Sequence, residues 1–289
     1  MFGGAPELVQ ARVHEQNKLC DVRPVTSKSD EQRVRPAMGV GRRAVSTPVC
    51  KITCPDKTIC FVLGSSRRMS ELTQEERAVL DSVDNVAVLN MFICYWDVLG
   101  VRPTHWAHMD CYDPKDVDNL YTELLAIKED KILASRLIYR FVNCRDTAIE
   151  VDGFLTELGV EVSRFRRGYY FERREGPADE FGRAMLQCGS SITGLINIMH
   201  ILNPGSEIRL VGCEYGHDPG HFYDLPGQVT GMDDDAYKAM RDRMWEGFGI
   251  LSEFGVNIVD CNKAHDYDIP VQWELPRKEL LDGFEVSFE

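Results

Sequence analysis

Apolar and polar positions along this chain fall into blocks that follow the rhythm of strand and helix. Ile59-Cys60-Phe61-Val62-Leu63 is a continuous apolar run, closed at once by Gly64. A run of that length without a polar break predicts a strand buried on both faces of a parallel sheet. The polar stretch after it predicts a helix over about 70–81. Val86–Leu89 predicts a second strand, closed by Asn90. Residues 93–99 predict a helix or tight turn, ended by Gly100 and Pro103. Residues 104–109 predict a third strand that ends at Asp110, and a helix follows from Pro114 to about 127. Residues 131–142 supply another strand with a short helix before it; 154–158 read as helical and 159–162 as extended.

The second half repeats the rhythm. Residues 195–202 are apolar nearly all round, which predicts a buried helix, and Asn203-Pro204-Gly205 terminates it. Residues 207–212 predict a strand with a loop over 213–217 beyond its carboxyl end. The connection 218–231 is long and polar, a length that in compact domains is often functional. Asp233-Asp234-Asp235 predicts a cap for a helix reaching about Glu253, with acid at its positive end. Residues 255–260 predict the last strand, and the remainder a tail packed on the sheet. The fold class expected is α/β: a Rossmann-like, mostly parallel sheet with helices on both faces.

Residues 1–48 are rich in Arg, Pro, Gly and Ser and poor in large apolar side chains. They read as an extended or loosely ordered segment ahead of a single α/β domain over 49–289. No apolar run is long enough to cross a bilayer, and the N-terminus lacks the apolar core of a secretory signal, so a cytoplasmic location is expected. Ten scattered cysteines read as reduced, core-filling thiols. Cys50, Cys54 and Cys60 have half the spacing of a zinc site with no second pair to answer them, so no metal is expected. The formal charge of −13 argues against polyanion binding by the whole surface. Two basic patches depart from that balance. One holds Arg33, Arg35, Arg42 and Arg43. The other, 164–174, interleaves Arg164, Arg166, Arg167, Arg173 and Arg174 with Phe165, Tyr169, Tyr170 and Phe171. The second patch reads either as a surface that stacks on rings and pairs with phosphates, or as an edge hairpin with snorkelling arginines.

Candidate chemistry gathers at three places. Gly64-Ser65-Ser66 follows a strand directly, and its backbone N–H groups with a helix N-terminus behind them suit a phosphate. In open α/β sheets ligands favour the carboxyl ends of strands. Ser190 and Ser191 open the apolar helix. Tyr215, His217, His221 and Tyr223 lie in the loops beyond the strand that ends near Gly212. A histidine has the pKa to activate a hydroxyl near neutral pH.

Three blocks in order carry a resemblance: Gly64-Ser65-Ser66; Asn90 with Gly100, Arg102, Pro103 and Asp110; and Ser190-Ser191 with Gly194, leading into Ile208-Arg209-Leu210-Val211-Gly212-Cys213-Glu214. Over about 57–262 the chain resembles the bacterial CMP-sialic acid-dependent sialyltransferases and the related motility-associated flagellin glycosyltransferases. The resemblance implies a glycosyltransferase-A-like variant of the Rossmann-like fold and transfer of a sugar from a nucleotide-activated donor, CMP-linked by preference, to an acceptor hydroxyl. It implies no metal and no cofactor besides that donor. Gly64, Ser65 and Ser66 would approach the donor phosphate; Asn90 would contact the nucleotide or sugar; Ser190 or Ser191 would hydrogen-bond the donor. Asp110 stands where those enzymes carry asparagine, and Glu214 where they carry aspartate. Tyr215 lies one position from their phosphate-stabilising tyrosine. His221, or else His217, would be the general base, with Tyr223 donating to the phosphate. The acceptor is open: a glycan, a protein or a nucleic acid, and anionic if the arginine patches place it. Two other functions stay open, a pyrophosphokinase of the hydroxymethylpterin type and a non-catalytic nucleotide- or nucleic-acid-binding module.

Overall fold

The computed structural model describes residues 50–109, 114–143, 148–167, 176–181, 183–186, 188, 190–213, 220–224, 234–262, 269 and 271–288. In chain order the elements begin β1 (Cys50–Thr53), β2 (Ile59–Leu63), α1 (Gln74–Ser82), β3 (Val86–Leu89), α2 (Trp96–Leu99) and β4 (His105–His108). Then come α3 (Pro114–Glu129), α4 (Lys131–Arg136), β5 (Tyr139–Asn143), α5 (Ala148–Leu158), β6 (Ser163–Arg167) and β7 (Ala184–Met185). The chain closes with α6 (Ser191–Leu202), β8 (Glu207–Val211), α7 (Asp234–Glu253), β9 (Asn257–Asp260) and β10 (Glu285–Phe288).

Strands β2 to β9 form one eight-stranded sheet in the order β7-β6-β5-β4-β3-β2-β8-β9. Every neighbouring pair in it is parallel. The α/β fold expected from the sequence is therefore present, with the sheet wholly parallel. Alternation along the strands explains its two covered faces. Ile59, Phe61 and Leu63 of β2 pack with Val79 and Leu80 of α1 and Leu120, Leu124 and Ile127 of α3. Cys60 and Val62 point the other way, onto Leu195, Ile196 and Met199 of α6 and Trp245 and Phe248 of α7. The five β2 residues are all buried, which is why the run carries no polar position.

The chain winds outward from β2 through β3 to β7 and then returns through α6 to β8, on the other side of β2. The winding direction thus reverses between β2 and β8, the kind of position where open α/β sheets leave a crevice at the strands' carboxyl ends.

Three features differ from the sequence reading. The helix after the Gly64 turn is split: Arg67–Glu71 forms a short 3-10 helix with Met69 buried, and α1 starts at Gln74. The reason is a capping box: Thr73 Oγ1 accepts from Glu76 N (3.2 Å) and Glu76 Oε2 from Thr73 N (2.7 Å). The strand expected at 159–162 lies at Ser163–Arg167, because Gly159 (φ +66°) ends α5 first and Ser163 then pairs with Phe141. In β6 Phe165 is buried while Arg164 faces out and pairs with Asp152 of α5. The tail adds a strand that the sequence did not reveal: β10 pairs antiparallel with β1, Ile52 opposite Val286.

Arg209 anchors that tail. It is fully buried on β8, beside the rings of Phe61 and Phe284, and donates to Glu207 Oε1 (2.9 Å), Leu280 O (2.6 Å) and Asp282 O (2.7 Å). A buried guanidinium is tolerated only when its N–H groups are matched in this way. Burial pushes the Glu207 carboxyl up, but Lys57 at 2.6 Å and Arg209 outweigh it and hold the carboxyl below its usual range.

His105 gives the fold a measurable pH response. It is 2% exposed, hydrogen-bonds Thr104 Oγ1 through Nδ1 (2.8 Å) and stacks on Tyr139. Burial pushes its pKa down to about 4. The folded imidazole stays neutral while the unfolded one takes a proton below about pH 6.5. Stability is therefore complete above pH 6.5 and declines as the pH falls towards 4, by up to about 3 kcal/mol from this group. Urea unfolding at stepped pH should show that decline, and His105→Gln should flatten it in that window.

Candidate functional site

The reversal point is built on two glycines. Gly64 N donates to Val211 O (2.8 Å) and Ser66 N to Gly212 O (3.2 Å). A Cβ on Gly64 would stand 1.9 Å from Gly212 O. Gly212 itself has φ +66°, and a Cβ there would meet Met69 Sδ at 2.4 Å. Only residues without side chains let the turns after β2 and β8 run this close.

That contact leaves the Gly64 turn open to a third segment. Residues 220–224 lie across it: Ser66 and His221 form an antiparallel bridge, and Phe222 N donates to Ser65 O (2.9 Å). Asp224 closes the segment, its Oδ2 accepting from His221 N (2.6 Å) and its N donating to His221 O (3.0 Å). Phe222 packs edge-on against Phe92.

The side chains then fall into place. Ser65 Oγ and His221 Nδ1 are 2.8 Å apart. The rings of Tyr95, Tyr223 and His221 form a column, with centroids 4.4 and 4.9 Å apart and interplanar angles of 12° and 22°. The Arg67 side chain lies on the Gly220 backbone, where a Cβ would approach its Nε to 2.3 Å. Burial lowers the pKa of His221, and the Arg67 charge adds to that, against the opposing pull of Asp224 and the Ser65 backbone. The imidazole is thereby kept neutral around pH 7, as a proton acceptor requires. Burial, with the charges of Asp224, Tyr95 and Glu123, raises the Tyr223 phenol, against the Ser65 hydrogen bond that lowers it, so it stays a donor.

Asparagines tie the neighbouring strand ends together. Asn90 (φ +46°) follows β3; its Oδ1 accepts from Met109 N (2.9 Å) and its carbonyl from Trp106 Nε1 (3.3 Å). Asn143, at the end of β5, donates to Met109 O (3.0 Å). Asn262, beyond β9, accepts from Cys213 N (3.2 Å). Within the core, His108 Nδ1 and Glu123 Oε2 form a fully buried pair at 3.0 Å.

Of the residues singled out in the sequence, Gly64, Ser65, Ser66, His221 and Tyr223 therefore come together. Both serine hydroxyls are engaged within the protein: Ser65 with His221, and Ser66 Oγ by accepting from Arg68 N (3.2 Å). The helix N-terminus behind the turn is that of the short 3-10 helix Arg67–Glu71, which Ser66 already caps. Asn90 works as a clamp between strand ends. Ser190 caps its own helix, its Oγ accepting from Ile192 N (3.2 Å). Ser191 is the first residue of α6, whose N-terminal turn packs on the far face of the sheet: a Cβ on Gly194 would lie 3.3 Å from Met109 Cε. Arg102 pairs with Asp81 through both side-chain and backbone N–H groups. Asp110, Glu214, Tyr215, His217, residues 168–174 and the segment 1–48 lie outside the described residues. Among the described residues, no group of three or more His, Cys, Asp or Glu is arranged to hold a metal ion.

Sequence reasoning missed Tyr95, Arg67 and Asp224. Arg67 stood in plain view two residues past Ser65, and an aspartate three residues past His221 is a turn signal. Nothing local marks Tyr95 as a partner of Tyr223. No protein-family model matches the chain, and comparison with curated proteins finds no match.

The glycine contact yields a clean test. Gly64→Ala forces a side chain onto backbone and should destabilise the protein by about 3 kcal/mol. Gly205→Ala, at φ +78° with open space around it, should cost only about 1 kcal/mol. Denaturant titration of both variants would reveal the contrast, and equal losses would refute the contact's importance.

Proposed function

We propose that the chain is a glycosyltransferase that moves a sugar from a nucleotide-activated donor, CMP-linked by the family resemblance, to an acceptor hydroxyl, with His221 as the general base. The observation that carries this is the convergence of Ser65, His221 and Tyr223, the first two hydrogen-bonded and the last two stacked, where β2 and β8 end side by side. Such a transfer needs three things at one place: a neutral base, donors for the leaving phosphate, and a cation near it. His221, Tyr223 and Arg67 have those properties.

In the proposed step, His221 removes the proton from the acceptor hydroxyl as its oxygen attacks the anomeric carbon. The bond from that carbon to the phosphate oxygen breaks. Tyr223 donates to the departing phosphate, and Arg67 offsets its charge.

Calorimetry with CMP, UMP and GMP tests the donor site, with CMP expected to bind; heats of binding for none of them would overturn the proposal. For a CMP-linked sugar, His221→Ala should lower turnover about 100-fold or more while leaving CMP affinity intact. Because the imidazole pKa is lowered, wild-type turnover should rise through a midpoint below pH 6.5 and level off by neutrality.

A further inference from the structure

An imidazole within hydrogen-bond reach of a hydroxyl is the arrangement that turns a serine into a nucleophile. Ser65 Oγ and His221 Nδ1 stand 2.8 Å apart. We propose that Ser65 is a nucleophile activated by His221, and that it takes an acyl group from a carboxylic ester with a good leaving group. The inference goes beyond the transferase reading. It uses the same imidazole on a different substrate class, and its readout needs no nucleotide.

Distance alone does not make such a pair reactive. Thr104 Oγ1 and His105 Nδ1 are also 2.8 Å apart. Those two residues are 0% and 2% exposed. The Thr104 hydroxyl is committed to the Val86 backbone, donating to its O (3.1 Å) and accepting from its N (2.8 Å). Its one proton is therefore not offered to the imidazole. Ser65 and His221 differ, since both are half-buried rather than sealed in the core. Ser65 lies on the turn between a parallel strand and the short helix after it, where a serine stands clear of the sheet's carboxyl edge. The base of an activated pair also needs a group to orient it. Tyr223 stacks on the His221 ring, Tyr95 stacks on Tyr223, and Asp224 holds the His221 backbone.

The neutral ring carries one proton and one lone pair. With the proton on Nε2, Ser65 O–H donates to Nδ1. As Oγ attacks the ester carbonyl, its proton passes to Nδ1 and the carbonyl oxygen becomes an oxyanion. The oxyanion then collapses. The carbon–oxygen bond to the leaving alcohol breaks, and that oxygen takes the proton from Nδ1. Acyl-Ser65 remains. Water attacks it in the same way, its proton passing to Nδ1 and then to Oγ as the acid leaves. The net change is ester and water to acid and alcohol. The N–H groups of Gly64 and Ser66 already bond Val211 O and Gly212 O, so the charge of the oxyanion falls to Arg67. One missing oxyanion donor slows such a step by about 10²–10³. Acylation is therefore slow, and labelling of the serine is a better measure than turnover.

Full-length protein treated at neutral pH with a fluorophosphonate, and in parallel with para-nitrophenyl acetate, gives the test. Peptide mapping by mass spectrometry should find Ser65 phosphonylated by the first reagent and acetylated by the second, with Thr104 unmodified. His221→Gln should slow the labelling of Ser65 about 100-fold or more. The wild-type labelling rate should rise through a midpoint below pH 6.5 and level off by neutrality, because the imidazole pKa is lowered. A hydroxyl without a base would instead label faster as the pH climbs further. An unmodified Ser65 in wild type would overturn the proposal, and so would equal labelling of wild type and His221→Gln. Should His221→Gln fail to fold, the wild-type peptide map and pH profile still decide. Neither result bears on the transferase reading, which nucleotide calorimetry tests separately.

Discussion

The backbone approach of Gly64 to Gly212 is the constraint on which the rest of this site depends. Two parallel strands, β2 and β8, are adjacent in space but separated by most of the domain in sequence. Their exit turns can lie against each other only because neither turn carries a side chain at the point of contact, and because Gly212 adopts a left-handed backbone. Met69 fills the remaining space beneath Gly212. With the two turns locked, the carbonyl and hydroxyl of Ser65 face outward, ready for the 220–224 segment. A bulkier residue at either glycine would part the turns and scatter the groups that now converge.

Buried polar side chains make the carboxyl edge of the sheet rigid. Asn90, Asn143 and Asn262 each follow or end a strand and each bonds the backbone of a neighbouring strand's exit. Loops leaving a parallel sheet expose backbone groups that need partners once they are covered. A carboxamide carries both a donor and an acceptor, so one short side chain can bridge two strand ends. Within the sheet Arg209 of β8 does the same for the C-terminal tail, binding two backbone carbonyls beside the rings of Phe61 and Phe284.

Electrostatics within the site favour neutrality where the chemistry needs it. His221 sits between an aspartate that favours its protonated form and an arginine and a buried setting that oppose it. Burial and Arg67 prevail, leaving a lone pair available near pH 7. Tyr223 is driven the other way by burial and by the surrounding negative charges of Asp224 and Glu123, and keeps its proton. An acceptor and a donor of protons are therefore stacked against each other.

Local pattern by itself determined the architecture. The unbroken apolar run 59–63, the alternation of strand-like and helix-like blocks and the glycine stops predicted a two-faced parallel sheet, because burial on both faces erases polar positions. The same reasoning placed Ser65 at a strand's carboxyl end and His221 in the loop beyond another. Tertiary structure alone decided that these two meet, since their hydrogen bond joins residues 156 apart in the chain. It also decided that Tyr95 stacks on Tyr223, that β10 pairs with β1, and that Ser190 spends its hydroxyl on a helix cap. Sequence periodicity reports which face of an element is buried, but not which distant element covers it. That choice belongs to the order of strands in the sheet, which no local signal encodes.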